Sequence, residues 1–208
     1  MSQSNIKICK FTGEAIKTYL PAIARLRIEV FRDYPYLFEG NMHDETQYLK
    51  KYANCKDAVL VIVFDGSEIV GVSTGIPLEN EIDEVKKAFV ENDHDISSYY
   101  YFSESMLLKK YRGRGLGHHF YDERETHAQK LNKYKHLCLC CITRSDDDPR
   151  KPDDYIPLDD FWKKRGYVKH PELICEVGWR DLNEEENSTK SMIFWIKNLS
   201  KETLTNSP

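Results

Sequence analysis

No apolar run in this chain approaches the roughly 20 residues that a membrane-crossing helix needs. The opening stretch Met1-Ser2-Gln3-Ser4-Asn5-Ile6-Lys7 has no apolar targeting core either. The expectation is a cytoplasmic protein without a membrane partner. A block of Lys and Arg is missing too: 30 basic residues stand against 34 acidic ones, for a net charge of -4. Without that electrostatic footprint no nucleic acid is expected as a partner. The cysteines are Cys9, Cys55, Cys138, Cys140, Cys141 and Cys175, of which three lie in the strand-like run His136 to Ile142, where a free cysteine behaves as a small hydrophobe. They read as reduced, mostly buried thiols, and no metal is expected. Internal repeats and low-complexity tracts are also lacking.

What is present is a chain of 208 residues, 40% hydrophobic and 31% charged, the balance of a globular protein. One domain over residues 1–208 is expected, with a short frayed tail from about 200. Ile6 to Phe11 alternates as a strand, and Glu14 to Phe31 has apolar residues at helical spacing. Arg32 to Lys56 is polar and rich in tyrosine, weakly helical from Glu45 to Tyr52, and suits a substrate-facing segment. Ala58 to Phe64 and Glu68 to Ile76 flank Asp65-Gly66 as a hairpin. Glu81 to Val90 reads as a helix, Tyr99 to Leu108 as a strand, and the glycine-rich stretch after it opens a helix to about Leu131. His136 to Ile142 is the next strand, Leu158 to Arg165 a helix ended by Gly166, and Leu173 to Trp179 and Ser191 to Ile196 the last strands. The fold class is α/β.

The stretch Arg112-Gly113-Arg114-Gly115-Leu116-Gly117 lies between a strand and a helix. Its glycines let a backbone come close to a ligand, and the free amides of a helix start form an anion site. Two arginines beside those amides favour a pyrophosphate. No Gly-Lys-Ser/Thr closes the loop as in a Walker motif, and no acidic residue follows near position 135 as in a dinucleotide fingerprint.

Arg112, Gly115 and Gly117 meet the pattern Arg-x-x-Gly-x-Gly after the strand Glu104-Ser105-Met106-Leu107-Leu108. This resembles motif A of the GNAT superfamily of N-acetyltransferases. Phe161-Trp162-Lys163-Lys164-Arg165-Gly166-Tyr167 resembles the family's late helix, and the element order from about 6 to 197 is similar as well. The resemblance implies a central mixed, mainly antiparallel twisted sheet of about six to seven strands flanked by helices. It further implies acetyl-CoA as co-substrate, with a splayed strand at Met106, Leu107 and Leu108 pairing the pantetheine arm. The amides of Gly113, Arg114, Gly115, Leu116, Gly117 and His118 would take the pyrophosphate. Acyl transfer to a primary amine would be direct, without a covalent enzyme intermediate.

Such a reaction needs a base for the ammonium proton and support for the leaving thiolate. Glu104 interrupts an apolar stretch, and burial there makes a carboxylate a stronger base. Arg124, however, falls in the middle of the helix face formed by Leu116, Phe120, His127, Ala128 and Leu131, and a half-buried arginine needs an anion. Glu104 as base and Glu104 ion-paired with Arg124 both stay open. For the acid, many members of the resembled family carry a tyrosine where this chain has Trp162, which has no ionisable hydroxyl. Tyr155 is the candidate, unless a thiolate of pKa roughly 8.5 leaves unaided.

The aspartates 146, 147, 148, 153, 154, 159 and 160 crowd one loop and either attract a cationic acceptor or are simply solvated. A non-catalytic acyl-CoA sensor and a nucleotide-binding regulatory domain are the competing readings. Monomer and homodimer are equally compatible with the sequence.

Overall fold

The computed structural model describes residues 5–199, and the tail expected to fray from about 200 lies outside them. Strand β1 (Ile6–Thr12) lies beside a hairpin of β2 (Val59–Asp65) and β3 (Glu68–Pro77). Gly66 makes the tight turn between them with a φ of +61°, a value that costs glycine little. Val59 to Val63 are all buried because both faces of β2 are covered, hence the unbroken apolar run.

The stretch expected as one helix from Glu14 to Phe31 is divided. Gly13–Tyr19 winds as a 3₁₀ helix, and α1 covers Leu20–Phe31. Pro21 sits in the first turn of α1, where its missing amide costs nothing, so it begins a helix rather than continuing one. Helix α2 (Met42–Asn54) exceeds the expected segment because the Asn41 side chain caps it, accepting from the Asp44 amide at 3.0 Å. Helix α3 (Asp83–Val90) follows a 3₁₀ turn at Leu78–Asn80.

The largest departure from expectation lies at Tyr99 to Leu108, which is two strands, β4 (Tyr99–Tyr101) and β5 (Ser105–Leu107). β4 runs parallel to β6 (His136–Ile142), whereas β5 pairs with β3 alone. The Phe102 amide still donates to the Cys138 carbonyl at 2.8 Å, but the Glu104 carbonyl already accepts from the Thr74 amide at 3.1 Å. The chain therefore changes partners within Phe102-Ser103-Glu104, and β5 and the far half of β6 splay apart. With β7 (Val168–Trp179) and β8 (Ser188–Asn198) the sheet has 8 strands, mostly antiparallel, seven in the order β1-β2-β3-β4-β6-β8-β7 and β5 off that path on β3. The expected count is exceeded because one expected strand is split. β7 also begins earlier than expected and continues past a register shift between His170 and Ile174, where Pro171 has no amide to donate.

Helices α4 (Leu116–Leu131) and α5 (Asp159–Lys164) cover one sheet face through Phe120, Ala128 and Trp162, packed with Val61, Leu139 and Trp195. α1, α2 and α3 cover the other through Ile23, Leu49 and Phe89, against Leu60, Ile62 and Phe194. Each large side chain so buried contributes about 1.5–3 kcal/mol, enough to hold both faces closed around the splayed strands. The six cysteines are free thiols, with Cys138, Cys140 and Cys175 buried.

Candidate active site

The glycine loop enters α4 through two left-handed residues, Gly113 at φ +74° and Gly115 at φ +80°, the latter being the helix N-cap. A Cβ at either position would meet nothing within 4 Å, so the loop faces open space. No side chain caps the helix, and the amides of Gly113, Arg114, Gly115, Leu116 and Gly117 have no hydrogen-bond partner among the described residues. Free amides at a helix start are the donor set that an anion site needs. The His118 amide is not part of it, because it donates to the Gly115 carbonyl at 3.0 Å. The His118 ring packs at a tilt against Phe161, with centroids 4.9 Å apart, and its Nδ1 lies 3.4 Å from Arg165.

The two loop arginines behave differently. Arg112 is drawn back along β5, with Nε donating to the Leu107 carbonyl at 3.0 Å and its guanidinium paired with Asp33 at 3.0 Å. Arg114 lies over the ring of Tyr111 at 5.0 Å and makes no ion pair among the described residues. Arg112 therefore braces the loop, and Arg114 is the cation available to an anion.

Along β5 the hydrogen bonds alternate. Glu104 and Leu108 bond to Thr74 and Val70 of β3, which turns the main-chain groups of Ser105 and Leu107 the other way, into the splay. Of the three residues expected to present an open edge, Leu107 alone turns toward the splay, and there its carbonyl already accepts from Arg112, which leaves its amide. Met106 and Leu108 face β3, and Ser105 is a position that sequence reasoning missed.

Glu104 is 3% exposed. Its carboxylate does not meet Arg124. It is ion-paired with Arg27 of α1, whose Nε simultaneously pairs with Glu45 of α2. Tyr48 donates to Glu104 at 3.3 Å, Ser103 lies at 3.5 Å, and the Glu104 amide bonds the Thr74 hydroxyl at 3.0 Å. Burial alone would weaken the hold of Arg27 on its proton, but Glu104, Tyr48 and Glu45 outweigh it and hold the guanidinium firmly charged. Burial and the nearby carboxylates push the hydroxyls of Tyr48 and Tyr52 well above the usual phenol range, so both remain neutral donors. Glu45 and Tyr48 lie in the tyrosine-rich stretch read as substrate-facing, whereas Arg27 carried no local sequence signal, since its partners lie on other elements.

Arg124 satisfies itself differently. It is fully buried and donates to the carbonyls of Phe120, Thr74 and Glu104 and to the Ser105 hydroxyl, between the rings of Phe102 and Tyr121. Burial lowers its pKa, opposed by Tyr121 and Tyr167.

Trp162, at the place of the tyrosine usual in the resembled family, is buried and donates to the Tyr121 hydroxyl at 2.6 Å. Tyr155 is half-buried and meets Tyr34 edge-on at 4.7 Å. Burial, then Tyr34, Cys141 and Asp159, raises its pKa. It borders a recess of about 270 Å³ rimmed by Asp146, Asp148 and Asp153. Much of that acidic loop is internally matched: Asp146 with Lys151, Asp148 with Arg150, Asp159 with Lys169 and Asp160 with Lys163.

No protein-family model matches the sequence, and no curated protein does. Solved structures do match in fold. A ribosomal-protein-alanine N-acetyltransferase from Brucella melitensis aligns with a TM-score of 0.59 at 11% identity, over 93% of this chain and 99% of that one. An acetyltransferase of the GNAT family from Streptococcus pneumoniae gives 0.57 at 15% identity, over 93% and 100%. NAA60 of Arabidopsis thaliana in complex with a bisubstrate analogue gives 0.54 at 14% identity, over 92% and 98%. The fold of this chain is the GNAT fold.

Proposed function

We propose that the protein is an acyl-CoA-dependent N-acyltransferase that moves an acetyl group from acetyl-CoA to a primary amine. The carrying observation is the run of unpartnered amides from Gly113 to Gly117 at the mouth of α4, next to the open edge of β5. The fit to a coenzyme is specific in kind. An unpaired strand edge suits an amide-bearing arm, and an open amide cradle beside Arg114 suits a diphosphate.

Acetyl-CoA, when bound, supplies an activated thioester. The chain's own residues do the rest. The loop amides and Arg114 would hold the diphosphate, and the main-chain groups of Ser105 with the amide of Leu107 would orient the arm along β5. Glu104 takes the proton from the acceptor ammonium, and the Tyr155 hydroxyl protonates the departing sulfur.

Isothermal titration with acetyl-CoA, then thiol release with a panel of primary amines, tests this reading. Micromolar binding with amine-dependent release is expected, whereas a protein that ignores acetyl-CoA would refute it. A non-catalytic acyl-CoA sensor is the second reading, favoured by Trp162 and its tied indole nitrogen. Tight binding without turnover of any amine would select it.

A further inference from the structure

The segment between α1 and α2 is tied to both sides of the splay. On one side Asp33 pairs with Arg112 of the glycine loop at 3.0 Å. On the other, Arg144, just past the end of β6, donates to the carbonyls of Pro35 and Tyr36 at 2.8 and 2.9 Å, and the Trp179 indole donates to the Tyr36 carbonyl at 3.2 Å. Phe38 forms a bridge with Asp181, and the Glu39 amide donates to the Arg180 carbonyl at 2.9 Å. Residues 33–39 are therefore a strap over the slot on its α1 side. Half-buried Tyr36 lies in the middle of it, with its ring against Phe31 at 4.5 Å and Trp179 at 6.2 Å. Burial, then Cys140 and Cys141 of β6 and Glu104 at the start of β5, push its hydroxyl well above the usual phenol range. The Tyr36 side chain thus stands close to both of the strands that part.

We propose that Tyr36 sets the length of the acyl group this protein accepts, as the wall that confines the donor to acetyl-CoA and similarly short thioesters. This rests on the acyltransferase reading and adds donor specificity to it. With the diphosphate at Gly113 to Gly117 and the arm running from Leu107 toward Ser105, the acyl end is led toward Glu104. The slot closes there. The Phe102 amide donates to the Cys138 carbonyl at 2.8 Å and rejoins the strands, and the Cys140 sulfur is backed by the Tyr101 hydroxyl at 2.9 Å. On the α4 side the fully buried Arg124 fills the space between Phe102 and Tyr121. A tail longer than acetyl is left with the direction of the strap, where the Tyr36 ring stands. Arg144 and Trp179 hold the Tyr36 carbonyl and not its side chain, so a smaller residue opens the space of a phenol ring while the strap stays fastened. The side chain is thereby a specificity-determining residue separate from the proton chemistry.

The test titrates the full-length wild type, Tyr36→Ala, Tyr36→Leu and Tyr36→Phe with acetyl-CoA and with hexanoyl-CoA, and follows thiol release from each donor with one primary amine. The wild type should bind hexanoyl-CoA about tenfold more weakly than acetyl-CoA and turn it over correspondingly less well. Tyr36→Ala should raise the hexanoyl-to-acetyl ratio of kcat/KM about tenfold, and Tyr36→Leu should raise it by less. Tyr36→Phe, which loses only the hydroxyl, should keep the wild-type ratio. Each ratio is taken within one variant, so a general loss of stability does not move it. A wild type indifferent to acyl length, or a ratio unaltered in Tyr36→Ala and Tyr36→Leu alike, overturns the proposal. Absence of binding of both thioesters to the wild type overturns the acyltransferase reading instead. Where both bind and no amine is turned over, the ratio of the two dissociation constants decides the length limit in the same way.

Discussion

The main-chain carbonyl of Glu104 accepts a hydrogen bond from Arg124 at 3.0 Å while its carboxylate is gripped by Arg27. One residue is thus held by its backbone from the α4 side of the sheet and by its side chain from the α1 side. Arg124 carries no carboxylate of its own and spends its donors on carbonyls at the place where the strand changes partners. It fixes the kink that aims Glu104, which is a different job from neutralising it.

Glu104→Gln keeps the size and the Thr74 contact but removes the proton acceptor. Transfer to amines is expected to fall by about 10²- to 10⁴-fold, the usual worth of a general base. Acetyl-CoA affinity, measured by titration, should stay within about twofold of the wild type.

Gly115→Ala forces a side chain into a φ of +80° without any clash, since no atom lies within 4 Å of the new Cβ. A loss of about 1–2 kcal/mol in denaturant melts is expected from the backbone alone. Acetyl-CoA binding should weaken as the cradle relaxes. Gly117 lies inside α4, and an added methyl there would meet only Phe161, at 4.0 Å. It should accept Ala with a gain in stability of about 0.5–1 kcal/mol.

Tyr155→Phe removes the hydroxyl proposed to protonate the thiolate. A fall in kcat with KM for both substrates unchanged is expected, and steady-state kinetics read it directly. Trp162→Phe should leave kcat unchanged and lower stability by about 1–3 kcal/mol, because it strands the buried Tyr121 hydroxyl.

Asp181 gives a pH signature. It is 1% exposed and sits among Arg144, Arg150 and Lys190. Burial alone would raise its pKa, but the hydrogen bonds and charges of those partners outweigh burial and hold it below the usual carboxylate range. A depressed folded value means that its stabilisation is complete above the unfolded pKa of about 3.9 and is lost as pH falls through the folded value. Asp181→Asn should therefore cost about 3–5 kcal/mol near neutrality. Urea melts across a pH series should show the two proteins converging in acid.

Much of the fold is local information and is readable as such. The order of strands and helices follows from periodicity, and the loop from Arg112 to Gly117 announces an anion site through its glycines. The split at Phe102-Ser103-Glu104 is not readable, because Tyr99 to Leu108 is apolar almost throughout and the break arises from a contest between β3 and β6 for the same backbone. The pairing of Arg27 with Glu45 is equally hidden. On their own helices they look like ordinary surface charges, and only packing of α1 and α2 over Glu104 makes them a cluster. The inference that Arg124 requires an anion fails because carbonyl oxygens serve it just as well.

The exchange of partners at β4 also divides the sheet mechanically. Within the sheet, the half built from β1, β2, β3 and β5 joins the half built from β6, β7 and β8 through short rungs at Ile76–Tyr101, Pro77–Tyr100 and Tyr99 to Tyr101, and through the Phe102–Cys138 bond. These halves are the natural units of partial opening. A molecule lying in the slot touches both and fastens one to the other, so occupancy would decide whether the chain melts in one cooperative step or comes apart as two leaves of a book.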